Sequence, residues 1–111
     1  MTVVKLAERM CVPLPAGSPP LTQAKIDVYL KQVPGWEHRD GVISKIFSFK
    51  SYADTMGFAN SVAWIAQRED HHPEMLVSYD RCRVAYSTHS VDGISDNDFI
   101  CAAKIEALCR I

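Results

Sequence analysis

The sequence predicts a two-layer α+β fold, an antiparallel four-stranded sheet with helices on one face, in the order α-β-β-α-β-β-α. Two pairs of short apolar segments joined by turn residues are typical of hairpins. A segment with helical spacing of apolar residues follows each hairpin, and another precedes the first. The 111 residues have the length of one domain and can build a core without disulfides or metal.

The first helix and the first hairpin are predicted between residues 21 and 50. Thr22 can cap the helix, and Pro34-Gly35 ends it. The stretch WEHRDGVISKIFSFK then predicts two strands joined by Asp40-Gly41, a dipeptide that tolerates the positive φ angles of a tight turn. The buried face of the second strand is left open, because apolar residues occupy both parities: Ile43, Phe47 and Phe49 on one, Val42 and Ile46 on the other.

The longest helix is predicted for SYADTMGFANSVAWIAQRED, which begins at Ser51 with Asp54 as its capping partner. Apolar side chains cover about half of its circumference, while Trp64 stands on the other side. Either the helix presents a wide face to the core, or part of that face, or Trp64, packs on another subunit. The apolar arc consists of Tyr52, Met56, Phe58, Ala59, Val62, Ala63, Ile65 and Ala66.

The second hairpin, EMLVSY and RCRVAYSTH, precedes the last helix. In its second strand, Cys82, Val84 and Tyr86 alternate with more polar positions. The helix begins at Ser95, and Asp98 three residues later can complete the cap. Its apolar stripe holds Cys101, Ala102, Ile105, Leu108 and Cys109.

Residues 1–20 are predicted to form a proline-rich N-terminal arm, and residues 21–111 a single domain. Four of the six prolines fall in CVPLPAGSPP, which cannot sustain a helix or a central strand. The cysteines show no C-x-x-C spacing and are interpreted as reduced, buried thiols, since a domain of this size needs no disulfides: Cys11, Cys82, Cys101 and Cys109.

Composition argues against several partners. A formal net charge of -1 gives no electrostatic footprint for nucleic acid or for an anionic membrane. Lys5, Glu8 and Arg9 interrupt the apolar N-terminus, and the chain has no apolar run long enough to span a bilayer. We therefore expect no direct nucleic-acid partner, no membrane association and a cytoplasmic location.

The histidines are concentrated in one segment, which opens with EDHHPEML. Pro73 restricts His72 to extended backbone, so His71 and His72 are predicted at a junction between helix and strand, where adjacent side chains diverge. His89 is placed at or just beyond a strand end.

Three interpretations of this segment stay open. The imidazoles can act as general acids and bases near neutral pH. They can bind zinc together with Asp98, although adjacent histidines are an awkward pair of ligands. They can also be ordinary surface residues, and Asp98 can be a capping carboxylate alone.

At this point the sequence resembles the pterin-4a-carbinolamine dehydratase family. The shared pattern is HHP, five residues, Tyr79, nine residues, His89, eight residues and Asp98. The segments FSFK, GFANSVA and STH agree in order and spacing, so the resemblance covers roughly residues 21 to 109. It implies dehydration of a 4a-hydroxytetrahydropterin to the quinonoid dihydropterin, without cofactor or metal, in tetrahydrobiopterin recycling after aromatic amino acid hydroxylation.

The resemblance also implies roles for single residues. It gives catalytic roles to His71, His72 and His89, with His72 and His89 as the expected acid/base pair and His71 orienting the pterin. Substrate-binding or supporting positions are Asp70, Pro73, Thr88 and Asp98. The chain departs from the family pattern at Gln67, where a charged residue or histidine is preferred, and at Met75, where animal members carry an aromatic residue.

The resemblance further implies partners: a small-molecule pterin and a homo-oligomer, dimer or tetramer, formed through sheet edges and the long helix. Some family members are dimerisation cofactors of a homeodomain transcription factor. A non-catalytic scaffold with a nuclear location is therefore the alternative to a cytoplasmic enzyme.

Overall fold

The computed structural model describes residues 5–109; residues 1–4 of the predicted arm and 110–111 of the predicted domain lie outside this range. It confirms the predicted α+β class and element order. Two short 3₁₀ turns, Leu6–Glu8 and His89–Val91, were not predicted. The helices and strands are α1 (Gln23–Leu30), β1 (Glu37–Arg39), β2 (Val42–Ser48), α2 (Tyr52–Glu69), β3 (Glu74–Val77), β4 (Arg81–Tyr86) and α3 (Asp96–Leu108).

The four strands form one antiparallel sheet in the order β1-β2-β4-β3. The predicted turn between β1 and β2 adopts positive φ at both positions, 55° at Asp40 and 79° at Gly41. Strands β2 and β4 pair at the centre of the sheet, so β1 and β3 are its edges.

The structure shows which face of β2 is buried. Ile43 and Phe47 are buried, and they stand opposite Tyr86 and Cys82 of β4 on the face that carries the core. Ile46 has the other parity and is 58% exposed. The sheet therefore buries one face, as expected of a two-layer fold.

Helix α2 is capped as predicted, since the Ser51 hydroxyl accepts a hydrogen bond from the Asp54 N–H at 3.1 Å. Phe58 and Val62 belong to the core, but Trp64 is 70% exposed. No helix within residues 5–109 is long and apolar enough to cross a bilayer.

The N-terminal segment packs on the domain. Leu6 is buried in the core, and its N–H donates to Gln32 Oε1 at 3.2 Å. Arg9 forms an ion pair with Asp96 at 2.8 Å, and Lys104 of α3 donates to the Ala7 carbonyl at 3.0 Å. Residues 7–12 of the segment predicted as an arm thus contact α3.

Candidate active site

The adjacent histidines lie where α2 gives way to β3, as predicted. Asp70 ends the helix in the left-handed conformation, with φ of 51°, and its N–H returns to the last turn. The His71 N–H donates to the Ala66 carbonyl at 3.1 Å, which fixes the backbone at the first histidine. The half-buried Pro73 follows, and β3 begins at Glu74.

A hydrogen-bond network joins this junction to the far end of the chain. His71 Nε2 lies 2.6 Å from Asp98 Oδ1. The other carboxylate oxygen of Asp98 accepts from the Thr88 hydroxyl at 2.8 Å and from the Ser95 N–H at 2.9 Å. Asp98 is fully buried and the His71 side chain is 14% exposed, so the pair is largely removed from solvent.

Asp98 bonds both the start of α3 and the His71 ring. With Ser95 it forms a capping box at the start of α3, because each side chain bonds the other residue's backbone. Its remaining oxygen holds His71. The helix cap therefore supplies the buried charge that positions an imidazole 27 residues away in the chain.

The His71 ring is also held from its face. It stacks on Tyr86 with 5.3 Å between ring centroids and an interplanar angle of 19°. Burial lowers the pKa of His71, but the hydrogen bond and the charge of Asp98 outweigh it, and the net effect is a raised pKa. His71 is thus a fixed imidazole that binds a proton more tightly than an unperturbed histidine does.

The other two histidines have different surroundings. The His72 and His89 side chains are both exposed. His72 follows the fixed His71, and His89 follows Thr88, whose hydroxyl bonds to the same Asp98 carboxylate. Asp98 therefore bonds both His71, which precedes His72, and Thr88, which precedes His89.

A cleft of about 340 Å³ lies beside His71. Asp70 and Thr88, both expected at the site, line it together with His71. Residues 11–14 of the N-terminal segment form another part of its wall, and Arg68 and Ser90 contribute polar groups. The size lies within the range of small-molecule sites.

Sequence reasoning missed several of these residues. Tyr86 was assigned only to the sheet, although its place at the strand end next to STH was the available signal. No local pattern indicates where residues 11–14 dock. Tyr79, interpreted as a sheet residue, instead lies in the turn between β3 and β4 and is 67% exposed.

The two departures from the family pattern, Gln67 and Met75, do not line the cleft beside His71. Gln67 is exposed and lines a shallow cleft with Trp64. Met75 is on the edge strand β3, opposite Val84, and is 36% exposed. Within residues 5–109, no three His, Cys, Asp or Glu side chains are grouped so that they could hold a metal ion.

Comparisons with known proteins agree on one family. The family model for pterin 4 alpha carbinolamine dehydratase matches residues 19–108. A protein of Nitrosospira multiformis named "Putative pterin-4-alpha-carbinolamine dehydratase" is 49% identical over 99% of this chain and 97% of its own length. A protein of the same name from Nitrosomonas europaea is 51% identical over 97% of this chain and 96% of its own.

Two solved structures are similar. The crystal structure of a transcriptional coactivator/pterin dehydratase from Brucella melitensis has a TM-score of 0.76 and 33% identity, covering 80% of this chain and 97% of that one. A pterin dehydratase-like protein described as a RuBisCO assembly factor in the alpha-carboxysome has a TM-score of 0.55 and 20% identity, covering 66% and 84% of the two chains. The second likeness concerns the fold alone.

Proposed function

The chain belongs to the pterin-4α-carbinolamine dehydratase family, and we propose that it dehydrates a 4a-hydroxytetrahydropterin to the quinonoid dihydropterin. Histidine acid/base catalysis accomplishes the reaction in this proposal. The observation that carries it is the buried network of His71, Asp98 and Thr88, which holds the segments bearing His72 and His89 on one carboxylate.

The reaction needs two proton transfers and no change of oxidation state. An acid protonates the 4a-hydroxyl, the carbon–oxygen bond breaks, and water leaves. A base removes the proton of a ring nitrogen, and the electron pair released there forms the new carbon–nitrogen double bond. Imidazoles suit both steps, because the ordinary histidine pKa of about 6.5 lies close to neutral pH.

The exposure of the three rings supports a division of roles. His72 and His89 are exposed and can exchange protons with solvent between turnovers, so we assign them as the acid/base pair. His71 is held by Asp98 and Tyr86, and its hydrogen bonding to Asp98 favours orientation of the pterin over proton transfer. A positioned acid or base contributes about 10²- to 10⁴-fold in rate.

The cleft beside His71 offers a place for the flat pterin ring. Arg68, Asp70 and Thr88 present charged and hydroxyl groups suited to the polar edge of a pterin. Residues 12–14, Val-Pro-Leu, present an apolar wall to its face. This placement supports the proposed supporting roles of Asp70 and Thr88. Pro73 restricts His72 to extended backbone.

The test is an assay in which a pterin-dependent hydroxylase generates the 4a-hydroxy intermediate and its decay is followed. We expect the wild-type chain to accelerate the decay, and the double variant His72→Ala/His89→Ala to return it to the rate without protein. His38→Ala removes the remaining histidine, which lies on β1 outside this segment, and is the matched control. Equal decay with wild type and double variant would refute the assignment.

A scaffold function is the second candidate. Trp64 at 70% exposure and Tyr52 at 55% leave part of α2 uncovered, and the Brucella melitensis relative is described as a transcriptional coactivator. An inactive chain that forms a stable complex lost in Trp64→Ala would favour this function. Histidine-dependent turnover favours the enzyme.

The wider setting of the activity is part of the same proposal. We propose that a pterin-dependent aromatic amino acid hydroxylase supplies the substrate, and that the chain acts in tetrahydrobiopterin recycling in the cytoplasm. Because α2 leaves aromatic side chains uncovered, we also propose a homo-oligomer, to be measured by light scattering.

A further inference from the structure

Two free thiols meet beside the cleft. The sulfur atoms of Cys11 and Cys101 lie 3.6 Å apart, although the residues are separated by 90 positions in the chain. Cys101 is fully buried on α3, whereas Cys11 is half-buried and lines the cleft with His71. One thiol is thus near the surface, and the other lies directly behind it.

Hydrogen bonds fix the backbone around Cys11. Its N–H donates to Glu69 Oε1 at 2.8 Å. The next residue, Val12, exchanges two hydrogen bonds with the Asn97 side chain, at 3.1 Å from its N–H and 2.8 Å to its carbonyl. A disulfide has a sulfur separation of about 2.05 Å, so the anchored side chains need to approach by roughly 1.5 Å.

The surroundings lower the pKa of the buried Cys101 thiol. The hydrogen bond from the Cys11 thiol lowers the pKa of Cys101 against the opposing effect of burial, and His71 acts in the same direction. The Tyr86 hydroxyl is buried without a hydrogen-bond partner within residues 5–109. Burial raises the pKa of this phenol, and the nearby Cys101 adds to the effect.

We propose that Cys11 and Cys101 are an oxidation-sensitive modification site that forms a reversible disulfide on reaction with hydrogen peroxide. The Cys11 thiol attacks one peroxide oxygen, the O–O bond breaks, and a sulfenic acid and water form. Cys101 then attacks the sulfenic sulfur, the S–O bond breaks, and the hydroxyl leaves with the Cys101 proton as water. Two electrons pass from the sulfurs to the peroxide, and a dithiol reductant reverses the change.

The bond has a structural consequence for the cleft. Residues 11–14 form part of the cleft wall, and the disulfide attaches this wall covalently to α3. It also closes a loop that spans most of the chain, which restricts the unfolded state strongly. We expect the oxidised protein to unfold at a temperature higher by about 5 °C or more.

The experiment uses the full chain with Cys109→Ser, so that this exposed thiol cannot link two molecules. The folded protein is treated with hydrogen peroxide, alkylated and digested with trypsin. Cys11 falls in peptide 10–25, Cys101 in peptide 84–104 and Cys82 in peptide 82–83. We expect a linked species of the first two peptides, an intact mass lower by two hydrogen atoms, and reversal by a dithiol.

The added substitution Cys101→Ser is the matched variant. It removes the resolving thiol, so we expect no linked peptide and a sulfenic acid at Cys11 that dimedone captures. Failure of peptides 10–25 and 84–104 to link under excess peroxide while the protein stays folded would overturn the proposal. Linkage that appears only in denaturant would overturn it equally.

Discussion

The histidines of the site differ in how firmly they are held. His71 is fixed by a buried carboxylate and a stacked phenol ring, while His72, the next residue, and His89 are exposed. Extended backbone before Pro73 turns the adjacent side chains apart, and one of them meets the core while the other meets solvent. Neighbours in sequence thus acquire different surroundings, one fixed against the core and the other exposed to solvent.

The Asp98 network explains why the His71 ring stays fixed. One carboxylate satisfies the cap of α3, the Thr88 hydroxyl and the His71 ring together. A buried charge with several hydrogen bonds resists rearrangement, because each partner left alone would be unsatisfied. His72 and His89 are exposed beside this network.

The largest expected effect is a loss of activity, with little loss of stability, when either exposed histidine is replaced. We expect His72→Ala and His89→Ala each to lower kcat by about 10²-fold or more. Because both side chains are exposed, the free energy of unfolding should change by less than about 0.5 kcal/mol. Steady-state kinetics and urea denaturation on the same preparations check both parts. A variant that keeps full kcat would remove its residue from the acid/base pair.

The next effect concerns the buried carboxylate. Asp98→Asn leaves His71 without its anionic partner and should lower the free energy of unfolding by about 3 kcal/mol. Asp96→Asn, in the same helical turn, removes only a partly exposed ion pair with Arg9 and should cost less than about 1 kcal/mol. Chemical denaturation compares the two variants. Equal losses would show that the Asp98 network contributes little.

The third effect is a pH dependence of stability. The folded protein binds the His71 proton more tightly than the unfolded chain does, since the folded pKa is raised. The stabilisation is complete below the ordinary histidine pKa of about 6.5 and is lost as pH rises through the raised value. We expect the stability difference between wild type and His71→Gln to shrink over this range in a pH series of unfolding curves. A difference that grows with pH would contradict the raised pKa.

The smallest effect is expected at Tyr86. Tyr86→Phe keeps the ring that stacks on His71 and removes a buried hydroxyl that has no hydrogen-bond partner among the described residues. Stability should stay equal or rise by up to about 1 kcal/mol in thermal unfolding. Tyr79→Phe, on an exposed turn, is the control. A clear loss in Tyr86→Phe alone would show that the hydroxyl has a partner in solution.

The sequence predicted what depends on local chemistry. The Ser51 and Ser95 caps and the Asp40-Gly41 turn are formed by residues within a few positions of one another, so their patterns are visible in the chain. The histidine junction was predicted for the same reason, because Pro73 limits the backbone before it.

Contacts between distant segments could not be predicted in this way. Nothing near Cys11 indicates that it meets Cys101, and nothing near Asp98 indicates that its second oxygen meets His71. These contacts depend on how α3 and the N-terminal segment pack after the sheet has formed. The burial of His71 and Asp98 depends on tertiary packing and was therefore not predicted.

The most direct test of the division between the fixed and the exposed histidines is a crystal structure with a bound pterin analogue. We predict a pterin ring beside His71, with the reacting carbon or its ring nitrogen within about 3.5 Å of the His72 and His89 ring nitrogens or joined to them through one water. An analogue bound elsewhere, with both exposed imidazoles remote from its ring, would contradict the account.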